Sequence, residues 1–130
     1  MNKFIKLAVC GAHMSGLPLN HQLTQLGATF VKETATAQGY RLFDVPEKTP
    51  PRPGMLRDKK SKTAVNLEIW SVPLENFGAF MIQIASPLCI GTVILEDTSL
   101  VYGFLCESDY LIGAQEISAY GGWRVYLDKN

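Results

Sequence analysis

The segment 7–21 constrains the fold most, because an apolar run there meets a turn with two glycines. The run predicts a buried first strand, the turn 11–16 ends it, and Pro18 opens a short helical pattern. Backbone N–H groups converge where a strand, a glycine turn and a helix start meet, so this turn can hold an anion. Both histidines of the chain, His13 and His21, lie in the same segment. The segment is therefore the first candidate for a functional site.

Length and charge limit the class of protein. The chain has 130 residues, which predicts one domain over residues 1–130 with a core that needs no metal or disulfide. Its 12 basic and 12 acidic residues balance and form no block of like charge, so we expect no nucleic-acid surface. No apolar stretch is long enough to span a bilayer, so we expect no membrane association.

The three cysteines Cys10, Cys89 and Cys106 are odd in number and form no C-x-x-C pair. This pattern predicts reduced thiols in a cytoplasmic protein, each a small core residue. Two histidines and no cysteine pair are too few ligands for a zinc site, so we expect no metal and no cofactor.

Hydrophobic periodicity predicts the remaining elements. A helix over Leu17–Leu26 is closed by Gly27, and a second helix starts with Pro73 at its first position, with Leu74, Phe77, Met81 and Ile84 as its apolar face. The prolines of Pro46–Gly54 predict an extended loop, the lysines of 58–62 a hairpin tip, and Asp109–Leu127 short helical patches. The predicted strands are Phe4–Gly11, Thr29–Thr36, Tyr40–Val45, Met55–Arg57, Val65–Val72, Ile90–Glu96 and Leu100–Cys106. This order predicts an α+β domain whose mixed sheet curls into a small β-barrel with flanking helices.

His13 is the candidate proton donor, since an imidazole titrates near neutral pH. A Cys10–His13 nucleophile pair is disfavoured because Cys10 belongs to the strand and no third group orients the histidine. Ser15 lacks the G-x-S-x-G context of a nucleophile and is interpreted as a hydrogen-bond donor to a ligand. Asn20 fits a turn residue as well as a ligand contact, and His21 fits a surface or capping residue.

Arg41, Arg57 and Arg124 are the cations placed to bind carboxylates, because a guanidinium can bind one with two parallel hydrogen bonds. Each could instead form a surface ion pair. Glu68 and Glu107 lie in apolar strands, where a carboxylate needs a partner or an altered pKa. Either could be an acid of the site or point outward.

Residues Gly11–Asn20, which read GAHMSGLPLN, resemble the signature G-A-H-[LM]-S-G-x-P-L-N of the C-terminal domain of allophanate hydrolase. Further matches follow in the same order and extend the resemblance over residues 5–127: Tyr40–Leu42, Pro50–Arg57, Glu68–Trp70, Val72–Leu74, Phe77–Gly78, Pro87–Gly91, Gly103–Glu107 and Ile117–Arg124.

The resemblance implies a γ-glutamylcyclotransferase-like fold, in which a Tyr-Gly-Ser-Leu turn after the first strand holds a substrate carboxylate. The turn 11–16 is similar in place, but the acidic catalytic residue of the cyclotransferases has no clear counterpart here. The resemblance also implies a role beside an amidase that releases ammonia from allophanate. The family's domain is thought to speed the decarboxylation of the product, N-carboxycarbamate.

We therefore expect the Ala12–Leu17 backbone, with Arg57 or Arg41, to hold this dianion while His13 donates a proton to its central nitrogen. The expected substrate contacts are Gly11, Ala12, Met14, Ser15, Gly16, Leu17, Asn20, Tyr40, Arg41, Arg57, Glu107 and Arg124. Two alternatives stay open: a non-catalytic module that binds a small carboxylate or amide, or supports an oligomer, and a γ-glutamylcyclotransferase-like enzyme. Expected partners are a small carboxylated substrate, an amidase subunit and a second copy of the chain.

Overall fold

A computed structural model describes residues 3–130, and within them eight strands and three α-helices. Two 3₁₀ helices, Ser108–Leu111 and Ser118–Tyr120, occupy the predicted helical patches of the C-terminal part. The elements in chain order are β1 (Phe4–Val9), α1 (His21–Thr24), β2 (Thr29–Ala35), β3 (Tyr40–Asp44), β4 (Pro53–Arg57), β5 (Asn66–Pro73), α2 (Leu74–Ile82), β6 (Leu88–Ile94), β7 (Leu100–Cys106), β8 (Gln115–Glu116) and α3 (Trp123–Lys129).

The larger sheet has the strand order β2-β5-β1-β7-β6, in which β1 and β7 are parallel and the other neighbours antiparallel. The sheet curls until its two edges meet at one end. There Ala37 N–H donates to Ile94 O over 2.9 Å and Glu96 N–H donates to Ala35 O over 3.0 Å. The α+β class and the curled mixed sheet are confirmed, although the strands of the described residues stop short of a closed barrel.

The smaller sheet has the order β4-β3-β8, and β4 packs against β7 of the larger sheet. The predicted hairpin between β4 and β5 is therefore wrong, because β4 pairs with β3 while β5 pairs with β1 and β2. The interior of β5 is largely buried, which favours a central position with a neighbouring strand on each side. The lysine segment 58–62 carries the chain from one sheet to the other.

Helix α2 begins at Leu74, with Pro73 as its N-cap, and it buries Phe80. The predicted apolar face is wrong in part, since Leu74 and Met81 are exposed. Phe80 instead packs edge-on against Phe104 of β7 at 5.9 Å between ring centroids. Apolar residues lie on more than one side of this helix, so periodicity alone does not show which side meets the sheet.

The predicted helix over 17–26 is shorter than expected, because only His21–Thr24 is α-helical. The residues before it fold back toward the first strand, where Leu19 N–H donates to Ala12 O over 2.8 Å. Leu23 is fully buried and fastens the helix to the core. No helix among the described residues is long and apolar enough to cross a membrane.

Candidate functional site

The turn after β1 is a series of tight bends. Met14 N–H donates to Gly11 O over 3.0 Å, and Leu17 N–H donates to Met14 O over the same distance. Gly16 has a φ of +76°, a left-handed conformation that favours glycine. The two glycines of the sequence pattern therefore belong to the geometry of the turn itself.

His13 lies inside the protein, with 6% of its surface exposed. Its ring stacks on Phe104 at 4.8 Å and meets the edge of Phe80 at 5.5 Å between centroids. Nε2 is 2.8 Å from Gln22 Oε1, and the side chain of Asn20 donates to His13 O over 2.8 Å. Asn20 thus holds the turn, and the histidine ring is fixed on three sides.

Burial lowers the pKa of His13 to about 4, with a further lowering by the positive charge of Arg52, while the hydrogen bond with Gln22 opposes the shift. The ring is consequently neutral at neutral pH. If Gln22 Oε1 accepts the Nε2 proton, Nδ1 carries a lone pair, and no described residue is assigned to it as a partner. In the free protein, Nδ1 of His13 is therefore a hydrogen-bond acceptor. His13 can donate a proton from this atom only after its pKa is raised.

Glu68 reaches the same turn from β5 and is almost fully buried. Its Oε1 accepts hydrogen bonds from Ser15 N–H (2.9 Å), Ser15 Oγ (3.1 Å) and Trp70 Nε1 (3.0 Å), and its Oε2 accepts one from Arg124 (2.9 Å). Burial alone would raise the pKa of Glu68, but these hydrogen bonds outweigh it and lower the pKa. The Ser15 hydroxyl therefore donates its hydrogen bond to Glu68. The sequence predicted that this hydroxyl would donate to a ligand.

A small cleft opens beside the turn, and Arg52 and His13 lie on its wall. Its volume is about 10 Å³, close to the space that one water molecule needs. Gly11 is required here, because a Cβ at this position would collide with the ring of Pro53. The cleft is lined by Cys10, Gly11, Ala12, His13, Arg52, Pro53, Leu88 and Phe104.

Ala12, His13 and Arg52 line this cleft, and the first two carry backbone N–H donors. Within the described residues, no acceptor is assigned to the N–H groups of Ala12 and His13. Arg52 is half-buried and donates to the carbonyl oxygens of Pro50 and Thr49 over 3.2 Å each, and burial lowers its pKa. Unpaired N–H groups beside a guanidinium form an environment that favours an anion.

Arg52 is the residue that sequence reasoning missed as a candidate. It lies in the segment Pro50–Arg57, which carried part of the family resemblance, and the proline on each side restricts its backbone. The place of Arg52 within this shared segment was the available signal.

Arg41 and Arg57 do not lie at the turn. Pro53 touches Gly11, and Arg57 is at the opposite end of β4, about 13 Å further along the strand. Arg57 lies over the ring of Tyr40 at 5.7 Å, and Arg41 pairs with Glu116. The structure therefore does not bring either arginine to the turn, because the strand direction carries both away from it.

Three further predicted contacts have other roles. Tyr40 is fully buried, and its hydroxyl accepts a hydrogen bond from Ile94 N–H at 3.0 Å. Glu107 is exposed and accepts a hydrogen bond from Ser86 Oγ at 2.9 Å. Leu17 packs against the core. None of the three lines the cleft.

The cysteines offer no reactive thiolate at the cleft. All three are free; Cys10 and Cys106 are buried, whereas Cys89 is exposed and is not the core residue that was expected. Burial raises the pKa of Cys10 to about 12, so the thiol beside His13 stays protonated. Among residues 3–130, no three His, Cys, Asp or Glu side chains are grouped to hold a metal ion.

Residues 5–128 match the sequence profile of the family described as the allophanate hydrolase C-terminal domain. The chain belongs to this family. A urea amidolyase from Saccharomyces cerevisiae is 44% identical over 128 residues, which are 95% of this chain and 7% of that protein. The chain therefore spans a small fraction of the length of the curated relatives it matches.

Solved structures place the family's domain in chains of different size. The allophanate hydrolase of Kluyveromyces lactis superposes with a TM-score of 0.94 at 36% identity, over 98% of this chain and 21% of that one. A uropathogenic Escherichia coli-specific protein superposes with a TM-score of 0.90 at 37% identity, over 97% of both chains. An AIG2-like protein from Mus musculus, 18% identical with a TM-score of 0.61 over 83% of this chain, shares the fold alone. The γ-glutamylcyclotransferase-like fold expected from the sequence is confirmed.

Proposed function

We propose that this domain assists the decarboxylation of N-carboxycarbamate in the breakdown of urea-derived allophanate. The observation that carries the proposal is the cleft beside the turn, which is lined by His13, Arg52 and Ala12, and where the N–H groups of Ala12 and His13 have no acceptor among residues 3–130. Membership of the allophanate hydrolase C-terminal domain family supports the choice of substrate.

In this proposal, Arg52 and the N–H groups of Ala12 and His13 bind one carboxylate of the dianion. The cleft has room for about one water molecule, so the ligand must displace the Arg52 side chain outward. That movement is feasible because the hydrogen bonds assigned to the guanidinium go only to the carbonyl oxygens of Pro50 and Thr49.

Binding of the dianion makes proton transfer from His13 possible. Two negative charges beside His13 raise the pKa of the ring, so binding takes up a proton from solvent at Nδ1. The C–N bond to one carboxylate then breaks, its electron pair stays on the nitrogen, and carbon dioxide leaves. The Nδ1 proton moves to that nitrogen, and the product is carbamate.

The structure makes a cyclotransferase mechanism less favoured. Glu68 touches the turn, but its lowered pKa and its four donors make it a poor base. Glu107 does not line the cleft. We also propose that an amidase supplies the substrate in the cytoplasm, since the matched yeast proteins carry this domain within much longer chains.

Carbon dioxide release tests the proposal. An amidase without this domain converts allophanate to N-carboxycarbamate, and membrane-inlet mass spectrometry follows the gas after the domain is added. A positioned general acid contributes on the order of 10²–10⁴-fold, and we expect His13→Gln to lose that acceleration. Arg57→Ala is the matched control and should keep it.

Two results would contradict the proposal. The first is an unchanged rate for His13→Gln, which would remove the histidine from the chemistry. The second is tight binding of a small dicarboxylate without any acceleration by the wild-type chain, which would instead support the non-catalytic binding module.

A further inference from the structure

An ion pair with a buried acid, Glu68–Arg124, contacts one residue of the turn from both sides. Ser15 N–H donates to Glu68 Oε1 over 2.9 Å, and Ser15 O accepts from a guanidinium nitrogen of Arg124 over 2.7 Å. The same nitrogen donates to Glu68 Oε2 over 2.9 Å. We call this arrangement of Glu68, Arg124 and Ser15 the Ser15 clamp.

The clamp joins two elements that are distant in sequence. Glu68 belongs to the central strand β5 and also accepts the indole N–H of Trp70. Arg124 is the second residue of α3, whose N-cap is Gly122. Elements distant in sequence thus meet at one residue of the turn.

The clamp lies outside the cleft. Glu68 and Arg124 are absent from the residues that line it, and the carboxylate of Glu68 is filled with donors from the protein. Neither side chain is therefore available to the proposed substrate at that site. Both side chains instead contact Ser15 and so fix the position of the turn.

We infer that Glu68 and Arg124 are positioning residues that aim His13 and the Ala12 N–H into the cleft by fixing Ser15. Ser15 follows His13 by two residues and precedes Gly16, whose missing side chain leaves this bend free to move when nothing holds it. The catalytic part of this inference rests on the proposed decarboxylation. A misplacement of about 1 Å at a reacting group can cost on the order of 10²-fold in rate.

The chain offers a matched control in the Arg41–Glu116 ion pair. Arg41 donates to Glu116 over 2.7 Å, but both side chains are partly exposed and belong to the smaller sheet. Glu116→Gln removes a charge from a similar pair without touching the turn.

The first measurement is amide hydrogen exchange. In Glu68→Gln and in Arg124→Lys we expect the hydrogen-bonded amides of the turn, Met14, Ser15 and Leu17, to exchange at least about 10-fold faster, with the amides of β1 unchanged. Glu116→Gln should leave the turn protected. Arg124→Lys keeps the positive charge and gives a second variant if Glu68→Gln does not fold.

The second measurement is the kinetics of carbon dioxide release. Both clamp variants should lower kcat on the order of 10²-fold while KM changes much less. The reason is that His13 is displaced as proton donor while the groups that bind the substrate remain. Hydrogen exchange does not depend on turnover, so inactivity of the wild-type chain would overturn only the proposed function. Unchanged exchange of the turn in both clamp variants would overturn the clamp.

Discussion

Two ion pairs of this domain have similar chemistry and different surroundings. Arg124 and Glu68 meet at 2.9 Å with 39% and 5% of their side chains exposed, whereas Arg41 and Glu116 meet at 2.7 Å with 33% and 41% exposed. The two arginines are similarly exposed, and the pairs differ in the burial of the acid. Distance alone therefore does not show which pair matters.

Burial makes the difference. A buried carboxylate loses its hydration and destabilises the fold strongly when its partners are removed, whereas water screens an exposed pair. The pair with the buried acid also fixes the turn beside the cleft, whereas Arg41 and Glu116 belong to the smaller sheet. A charged carboxylate, that of Glu68, is therefore buried next to the candidate site.

Removal of each acid should give the largest contrast. We expect Glu68→Gln to lower the free energy of unfolding by about 3 kcal/mol, because it leaves buried donors without their charged acceptor. Glu116→Gln should lower it by less than about 1 kcal/mol. Urea denaturation measures both, and equal losses would show that burial does not distinguish the pairs.

Acid should destabilise the domain through His13. The folded ring has a pKa of about 4 against 6.5 in the unfolded chain, so between these values only the unfolded state binds the proton. Stability is then complete above pH 6.5 and falls as the pH drops toward 4, by about 3 kcal/mol in total. Glu68, whose folded pKa is lowered, adds a loss below its ordinary pKa of 4.5.

The control for this pH dependence is His13→Gln. Denaturation series from pH 7 to pH 4.5 should show a much flatter profile for the variant than for the wild-type chain. A wild-type profile that is flat over the same range would show that the ring can be protonated in the folded protein.

Two arginines sharpen the comparison at the level of ligand binding. Malonate, a small dicarboxylate, can serve as a stable analogue of the dianion. Arg52→Ala should weaken malonate binding on the order of 10- to 100-fold, since a hydrogen bond to a charged group contributes about 1.5–3 kcal/mol. Arg57→Ala, on the same segment, should change the Kd less than about twofold. Calorimetric titration checks both, and equal effects would place the anion away from the cleft.

The exposed pair should show the smallest effect. Arg41→Gln should lower the free energy of unfolding by less than about 1 kcal/mol, and high salt should shrink that loss further because it screens the pair. Urea denaturation at low and high salt measures the change. A loss that is independent of salt would mean that the cation–π contact with Phe43, at 4.9 Å, is the main contribution.

Local sequence patterns predicted most of the strands. The alternating and apolar runs located β2, β3, β5, β6 and β7 to within two residues at each end. They failed at the pairing of β4, since a short basic segment between two strands suggests a hairpin when it actually connects two sheets. Strand partners depend on contacts between residues distant in sequence, which no local pattern contains.

The centre of the site was predictable, and its charged residues were predictable only in part. The glycines of the turn and His13 were visible because they are close in sequence. Arg124 and Glu68 were candidates from the sequence and both contact Ser15, but that meeting depends on strand direction and register, and Arg52 was missed. The pKa of His13 was likewise hidden, because it is set mainly by burial.

The most direct test of the account is the protonation state of His13 when a dianion binds. With the ring labelled with ¹⁵N at pH 7, NMR should show a neutral imidazole in the free domain and a protonated one at saturating malonate. Arg52→Ala should require far more malonate for the same change. A ring that stays neutral while malonate occupies the cleft would contradict the proposed proton transfer.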